Sequence, residues 1–233
     1  MSQKTHPSLA SKEIAEIRER LDDLSTRGTL IYESKDQTIH RFQTSDRELI
    51  AKTYHQKSLR NKGAALVRNT RAHRSYRAGI RFSNAGIKTP KPLLLLEKGS
   101  PFRHTISLVT EFCPHPALLD SINQGLPIHP STPAKILTLI HQLASLKSSH
   151  GDFHARNLLI DDEGNPNLID LDGVRSHILP LVADKYILKD RNRFLRSLEP
   201  LPEQYLEFSK VLGESNSPLP SRLLSTNSHR SRN

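Results

Sequence analysis

The stretch that decides how this chain folds is His150-Gly-Asp-Phe-His-Ala-Arg-Asn157, continuing into Leu-Leu-Ile160 and, past a turn, into Leu168-Ile-Asp-Leu-Asp172. Residues 158–160 and 167–170 read as two short strands. Asp161-Asp-Glu-Gly164-Asn-Pro166 between them is dense in turn formers, so a hairpin is expected. Closing it returns Asp170 to the side of Asn157. An amide oxygen and a carboxylate then converge from two strand ends as hard oxygen ligands, the kind Mg²⁺ takes. Asp152, in the loop, stays near enough to accept a proton from an attacking hydroxyl.

His150, Asp152 and Asn157 fit the spacing H-x-D-x-x-x-x-N of kinase catalytic loops. The bare spacing is a weak signal; the hairpin and Ile169-Asp-Leu-Asp172 at its far end make it a stronger one. Two other readings stand beside it. One is a surface loop with a hydrogen-bonded histidine. The other is a zinc site: His150, Asp152 and His154 alternate, so on a strand all three would share a face. The helical pattern just upstream and the hairpin just downstream favour a loop.

The 233 residues suffice for one large domain or two small lobes. Mean hydropathy is −0.53 and no apolar run approaches the ~20 residues of a membrane span. The N-terminus lacks the apolar region of a signal peptide. Cys113 is the single cysteine, which excludes an internal disulfide and fits a reducing compartment, so a cytoplasmic protein is expected. The net charge of +10 favours anionic partners: nucleotides, phosphorylated glycolipids, membrane surfaces or nucleic acid. Residues 49–96 hold no Asp or Glu, while Arg68, Arg71, Arg74, Arg77 and Arg81 crowd their middle. Aromatic residues are only 5% of the chain, too few to interleave with the basic ones for base stacking, which counts against nucleic acid.

Along the chain, Ile14, Ile17, Leu21 and Leu24 recur at helical spacing, with Gly28 placed to end the helix. Residues 29–33, 38–43 and 48–54 read as strands joined by hairpin-like turns, with Lys52 in the third. That is where a kinase fold carries the lysine that binds ATP phosphates, although a strand lysine facing water fits the pattern too. The first turn has no glycine, so any phosphate cradle must come from the backbone N–H groups of residues 34–37. Residues 57–66 suit a short basic helix and 70–85 a longer one, whose surface suits anions or simply water. Residues 92–97 and 105–111 are strands. The second runs into Phe112-Cys-Pro114, where backbone groups at Glu111 and Cys113 are positioned to meet an adenine edge, as at a kinase hinge. A short helix is expected over 117–123. A strong one opens at Thr132-Pro133, with the threonine as cap. Others cover 182–198 and 203–211, and residues from 215 onward read as a disordered basic tail.

Together these pieces resemble the bacterial lipopolysaccharide kinase family, the Kdo/WaaP group. The likeness rests on Leu49-Ile-Ala-Lys52, on Arg71-Ala-His-Arg-Ser-Tyr-Arg77 with Asn84-Ala-Gly-Ile-Lys-Thr-Pro90, and on Leu108-Val-Thr-Glu-Phe112. It also rests on the His150 loop with Leu168-Ile-Asp-Leu-Asp172, and on Asp190-Arg-Asn-Arg-Phe-Leu-Arg-Ser197. The resemblance implies an α+β, two-lobed protein-kinase-like fold, with a small antiparallel-sheet N-lobe and a mostly helical C-lobe. The expected divisions are residues 1–28 as an N-terminal helix extension, 29–112 as the N-lobe, 113–212 as the C-lobe and 213–233 as the tail. It further implies Lys52 on the phosphates of ATP, Asp152 as base, Asn157 and Asp170 on Mg²⁺, and Asp190 bracing the loop backbone. The acceptor would be a sugar hydroxyl of the lipopolysaccharide core or its precursor, reached from the cytoplasm at the periphery of the inner membrane. Two departures leave room for a nucleotide-binding pseudokinase: Ser75 stands where a glutamate pairing Lys52 is expected, and the phosphate turn has no glycine. A compact atypical Ser/Thr protein kinase is the other alternative.

Overall fold

A two-residue alternation builds the first half of the molecule. In the computed structural model, which describes residues 2–57, 70–100 and 103–213, β2 (Thr29–Glu33), β3 (Gln37–Gln43) and β4 (Glu48–Lys57) form an antiparallel meander. β5 (Pro92–Ser100) and β6 (Arg103–Glu111) extend it, β1 (Ser2–Thr5) adds an edge, and the order is β1-β5-β6-β4-β3-β2. Among the described residues every strand pairing in this sheet is antiparallel.

Alternation sorts side chains to two faces. Leu49, Ala51, Leu94, Leu96 and Val109 pack with Ile17 and Leu24 of α1 (Ser11–Asp22) and α2 (Leu24–Arg27). Tyr54, Leu95, Ile106 and Leu108 turn the other way, against Ala72 and Tyr76 of α3 (Arg71–Asn84). Lys52 shares the parity of Tyr54, and its Nζ lies 5.4 Å from the centre of that ring. Thr70 caps α3 by accepting the N–H of His73.

The edge strand β1 (Ser2–Thr5) escapes sequence reading. Ser-Gln-Lys-Thr has no apolar alternation, and only backbone pairing with Leu94–Glu97 defines it. The single helix expected up to Gly28 is broken at Asp23. The chain divides into two units after Pro114. Beyond Lys57, the basic helix expected over residues 57–66 lies outside the described residues, as does the tail past Gly213.

The second unit contains α4 (Leu118–Asn123), α5 (Thr132–Ser145), α6 (Pro180–Leu198) and α7 (Pro202–Gly213). Thr132 is not the cap expected of it: Ser131 holds that position and Thr132 begins the helix, fully buried. Two small ribbons accompany the helices. β7 (Ser148–Ser149) pairs with β10 (Arg175–Ser176), and β8 (Leu158–Ile160) with β9 (Pro166–Leu168). Among the described residues no helix is long and apolar enough to cross a membrane.

Candidate active site

The β8–β9 hairpin closes because Asp161 organises its turn. Its Oδ1 accepts the N–H groups of Glu163 and Asn165 at 3.1 and 2.8 Å. The resulting register pairs Leu158 with Leu168, and Ile169 donates its N–H to the carbonyl of Asn157 at 3.0 Å. Asp170 is therefore the residue just beyond Asn157's partner. It adopts a left-handed backbone, φ 58° and ψ 61°. For a residue with a side chain that is a strained state, worth roughly 1–2 kcal/mol, and aspartate is among the few that visit it.

The loop from His150 to Asn157 is not an extended strand. Gly151 has φ +81°, and a Cβ there would lie 2.5 Å from the carbonyl oxygen of Gly173. The alternation required by a shared zinc face is thus lost, and His150 turns into the interior. Its ring is buried, and Nε2–H donates to the carbonyl of Ile169 at 3.0 Å. The same histidine therefore ties the loop to the residue preceding Asp170. Because Gly151 and Gly173 touch through backbone atoms, Gly151→Ala should lower stability by about 1–3 kcal/mol from the backbone alone, with the clash adding to it. Thermal melts and turnover measured together check this: both should fall, and an unchanged melting temperature would contradict it.

One face of α6 grips the loop from below. Asp190, buried, accepts the N–H of His150 at 2.6 Å and that of Gly151 at 3.0 Å. Ser197, two turns on, accepts the N–H of Ala155 at 3.1 Å. Arg193 donates to the carbonyl of Gly151 at 3.1 Å and forms an ion pair with the carboxylate of Asp152. Phe153 packs on Phe194, which packs on Phe208 of α7, at centroid distances of 5.8 and 5.5 Å. Arg193 and Ser197 are functional neighbours that sequence reading missed, although their spacing from Asp190 puts all three toward one side of a helix.

Burial shapes the titration of this group. It pushes His150 below its ordinary value of 6.5, against the opposing pull of Asp190. It pushes Asp190 up, while the two backbone N–H groups pull the carboxylate back down. The sign for His150 follows from linkage. Its lowered value contributes stability that is present above about 6.5 and lost as pH falls through the folded value. NMR titration of the ring should find it neutral through pH 6.5; protonation at or above that pH would contradict the buried, carbonyl-bonded geometry.

Around Asp152 the polar atoms converge. Asn157 Nδ2 donates to the backbone carbonyl of Asp152 at 2.9 Å and lies 3.5 Å from its carboxylate. That leaves Asn157 Oδ1 as the atom able to serve as a ligand. His154 Nε2 lies 3.4 Å from Asp152 Oδ2 and 3.2 Å from Asn157 Nδ2, while its Nδ1 accepts the N–H of Arg156. Among the described residues no group of three or more His, Cys, Asp or Glu forms a preformed metal cage. Asn157 Oδ1 and the Asp170 carboxylate, brought to neighbouring positions by the hairpin register, are two oxygen groups of the hard kind that Mg²⁺ takes.

The other candidates lie in the first unit. Lys52 is half-buried on β4, paired in register with Leu108. Glu111 ends β6. Its N–H is spent on the carbonyl of Lys91, and its carboxylate takes Arg47, which also reaches Glu13 at 2.6 Å. The N–H and the carboxylate of Glu111 are thus both engaged within the first unit. Cys113 follows, partly exposed and outside any strand. The expected phosphate cradle is corrected. Ser34 N–H bonds the Gln37 carbonyl, and the N–H groups of Asp36 and Gln37 turn to the Ser34 hydroxyl. The serine thus captures amides that a glycine-rich turn would leave outward. On α3, Ser75 is buried, and it is His73 that reaches an acid, Glu97 of β5, at 2.9 Å. Arg74, Arg77 and Arg81 each have interactions within the chain.

The antiparallel sheet with its helices, and the loop and hairpin that follow, are those of a protein-kinase-like phosphotransferase fold. The solved structure of WaaP in complex with acyl carrier protein shares this fold with a TM-score of 0.59, at 15% identity, covering 94% of this chain and 90% of that one. No curated protein matches in sequence. The model of the lipopolysaccharide kinase (Kdo/WaaP) family matches residues 14–211. The chain belongs to that family, whose members are phosphotransferases with a sugar hydroxyl as acceptor.

Proposed function

We propose that this protein transfers the γ-phosphoryl group of ATP to a sugar hydroxyl of the lipopolysaccharide core or a related glycolipid, with Mg²⁺ as cofactor. Asp152 accepts the hydroxyl proton as the sugar oxygen bonds to the γ-phosphorus. The bond from that phosphorus to the bridging oxygen breaks, and ADP leaves. Asn157 Oδ1 and the Asp170 carboxylate hold the metal. When bound, the ion neutralises charge on the phosphates. Lys52 takes a phosphate oxygen, and backbone groups at Glu111 and Cys113 meet the adenine. Arg193 and the Asn157 amide fix the orientation of Asp152, whose carboxylate and carbonyl they bind.

The observation that carries this reading is the hairpin register. It sets a strained Asp170 next to Asn157, whose amide nitrogen is already committed to Asp152. A sugar acceptor is preferred over a protein hydroxyl because residues 171–179 alone separate Asp170 from α6. They leave no room for a long peptide-binding segment. Calorimetric titration of Mg²⁺ against the ATP-loaded protein tests the ligand pair. Asn157→Ala and Asp170→Ala should each weaken the metal-dependent component by at least about tenfold. An unchanged Mg²⁺ dependence in both would contradict the assignment.

A further inference from the structure

We propose that the outer face of α6 and the apolar segment leading into it dock on an anionic lipid bilayer. Ile178-Leu-Pro-Leu-Val182 is the most exposed apolar run among the described residues: Ile178 is 91% and Leu181 83% accessible, with Leu179 at 61%. Single exposed leucines are ordinary; a contiguous run at the entrance to a helix is a patch.

The helix continues the pattern. At about 100° per residue, the exposed positions of α6 from Leu181 onward fall on one arc of roughly 140°, with Pro180 at the helix start outside it. Leu181, Val182 and Leu188 supply its apolar part, and Lys185, Lys189 and Arg196 its charge. Within this arc α6 places no acidic residue: Asp190 is buried on the opposite side with Ile187 and Phe194, while Asp184, partly exposed, flanks the arc beside Leu188. Arg175, on β10, adds a further exposed cation beside Tyr186, whose ring also faces Lys189 at 5.1 Å. Aliphatic side chains mixed with a majority of cations are the surface that lies in a bilayer interface and prefers anionic lipid.

The arc also ends at the chemistry. Arg193, at its margin, is the residue bound to Asp152. A bilayer under α6 would therefore hold the catalytic loop close to the headgroup plane. This purpose rests on the glycolipid reading; the surface itself does not.

Flotation of the full chain with vesicles of phosphatidylglycerol and phosphatidylethanolamine, without nucleotide, tests the proposal. The protein should float with these vesicles and not with pure phosphatidylcholine. The pair Ile178→Asp with Leu181→Asp should reduce partition by more than about tenfold. The pair Lys185→Glu with Lys189→Glu should reduce it by about thirtyfold or more. Both pairs lie on the surface and should melt as the parent does. A parent that does not float, variants that float equally well, or equal partition to neutral vesicles would overturn it. So would a parent dimer that Ile178→Asp with Leu181→Asp dissociates, since the face would then join two copies. Phosphate transfer to a deacylated, water-soluble core oligosaccharide separates this from the kinase reading. Transfer retained without vesicle binding removes the docking proposal alone, and vesicle binding retained without transfer removes the acceptor assignment alone.

Discussion

Replacing Asp152 by asparagine is expected to lower phosphate transfer by about 10²–10⁴-fold while ATP affinity stays within about twofold of the parent. The expectation rests on what the carboxylate touches. Arg193 and Asn157 hold it from two sides, so an isosteric amide keeps the loop in place and removes only the group able to take a proton. Steady-state turnover and nucleotide binding, measured on the same preparation, separate base loss from misfolding. Undiminished turnover in Asp152→Asn would remove Asp152 from the chemistry.

The second large effect is structural. Asp190→Ala should destabilise the protein by about 3–5 kcal/mol, because it strands the buried N–H of His150 and the part-buried N–H of Gly151 at once and removes the charge facing Arg193 and His150. Denaturant melts should show a lower midpoint. Hydrogen exchange at His150 and Gly151 should rise well above that of the sheet amides. Asp190→Asn retains one acceptor oxygen and should fall between parent and alanine variant. An alanine variant as stable as the parent would mean that the loop does not depend on α6.

Much of this site was legible because its periodicities are local. Alternation along 48–54 placed Lys52 opposite Leu49 and Ala51, and the Asp161-to-Pro166 turn fixed a hairpin whose register follows from its length. What was not legible depends on tertiary partners. Arg193 and Ser197 look like any solvated helix positions until Asp190 is seen facing the loop backbone. β1 has no side-chain signature, because only its backbone is used. The Ser34 turn misled for a related reason. A short hydroxyl competes for the amides that a phosphate would need, and composition shows the missing glycine but not that competition. Gly151 stood in the motif without explanation until Gly173 appeared against it.

The most direct measurement is incorporation of labelled phosphate from γ-labelled ATP into purified lipopolysaccharide core oligosaccharide with Mg²⁺, followed by phosphorus NMR of the product. A phosphate monoester on a sugar hydroxyl, formed by the parent and lost in both Asp152→Asn and Asp170→Ala, is the predicted result. Label that stays in ATP while the parent binds nucleotide, or that enters the sugar equally in both variants, would contradict the account.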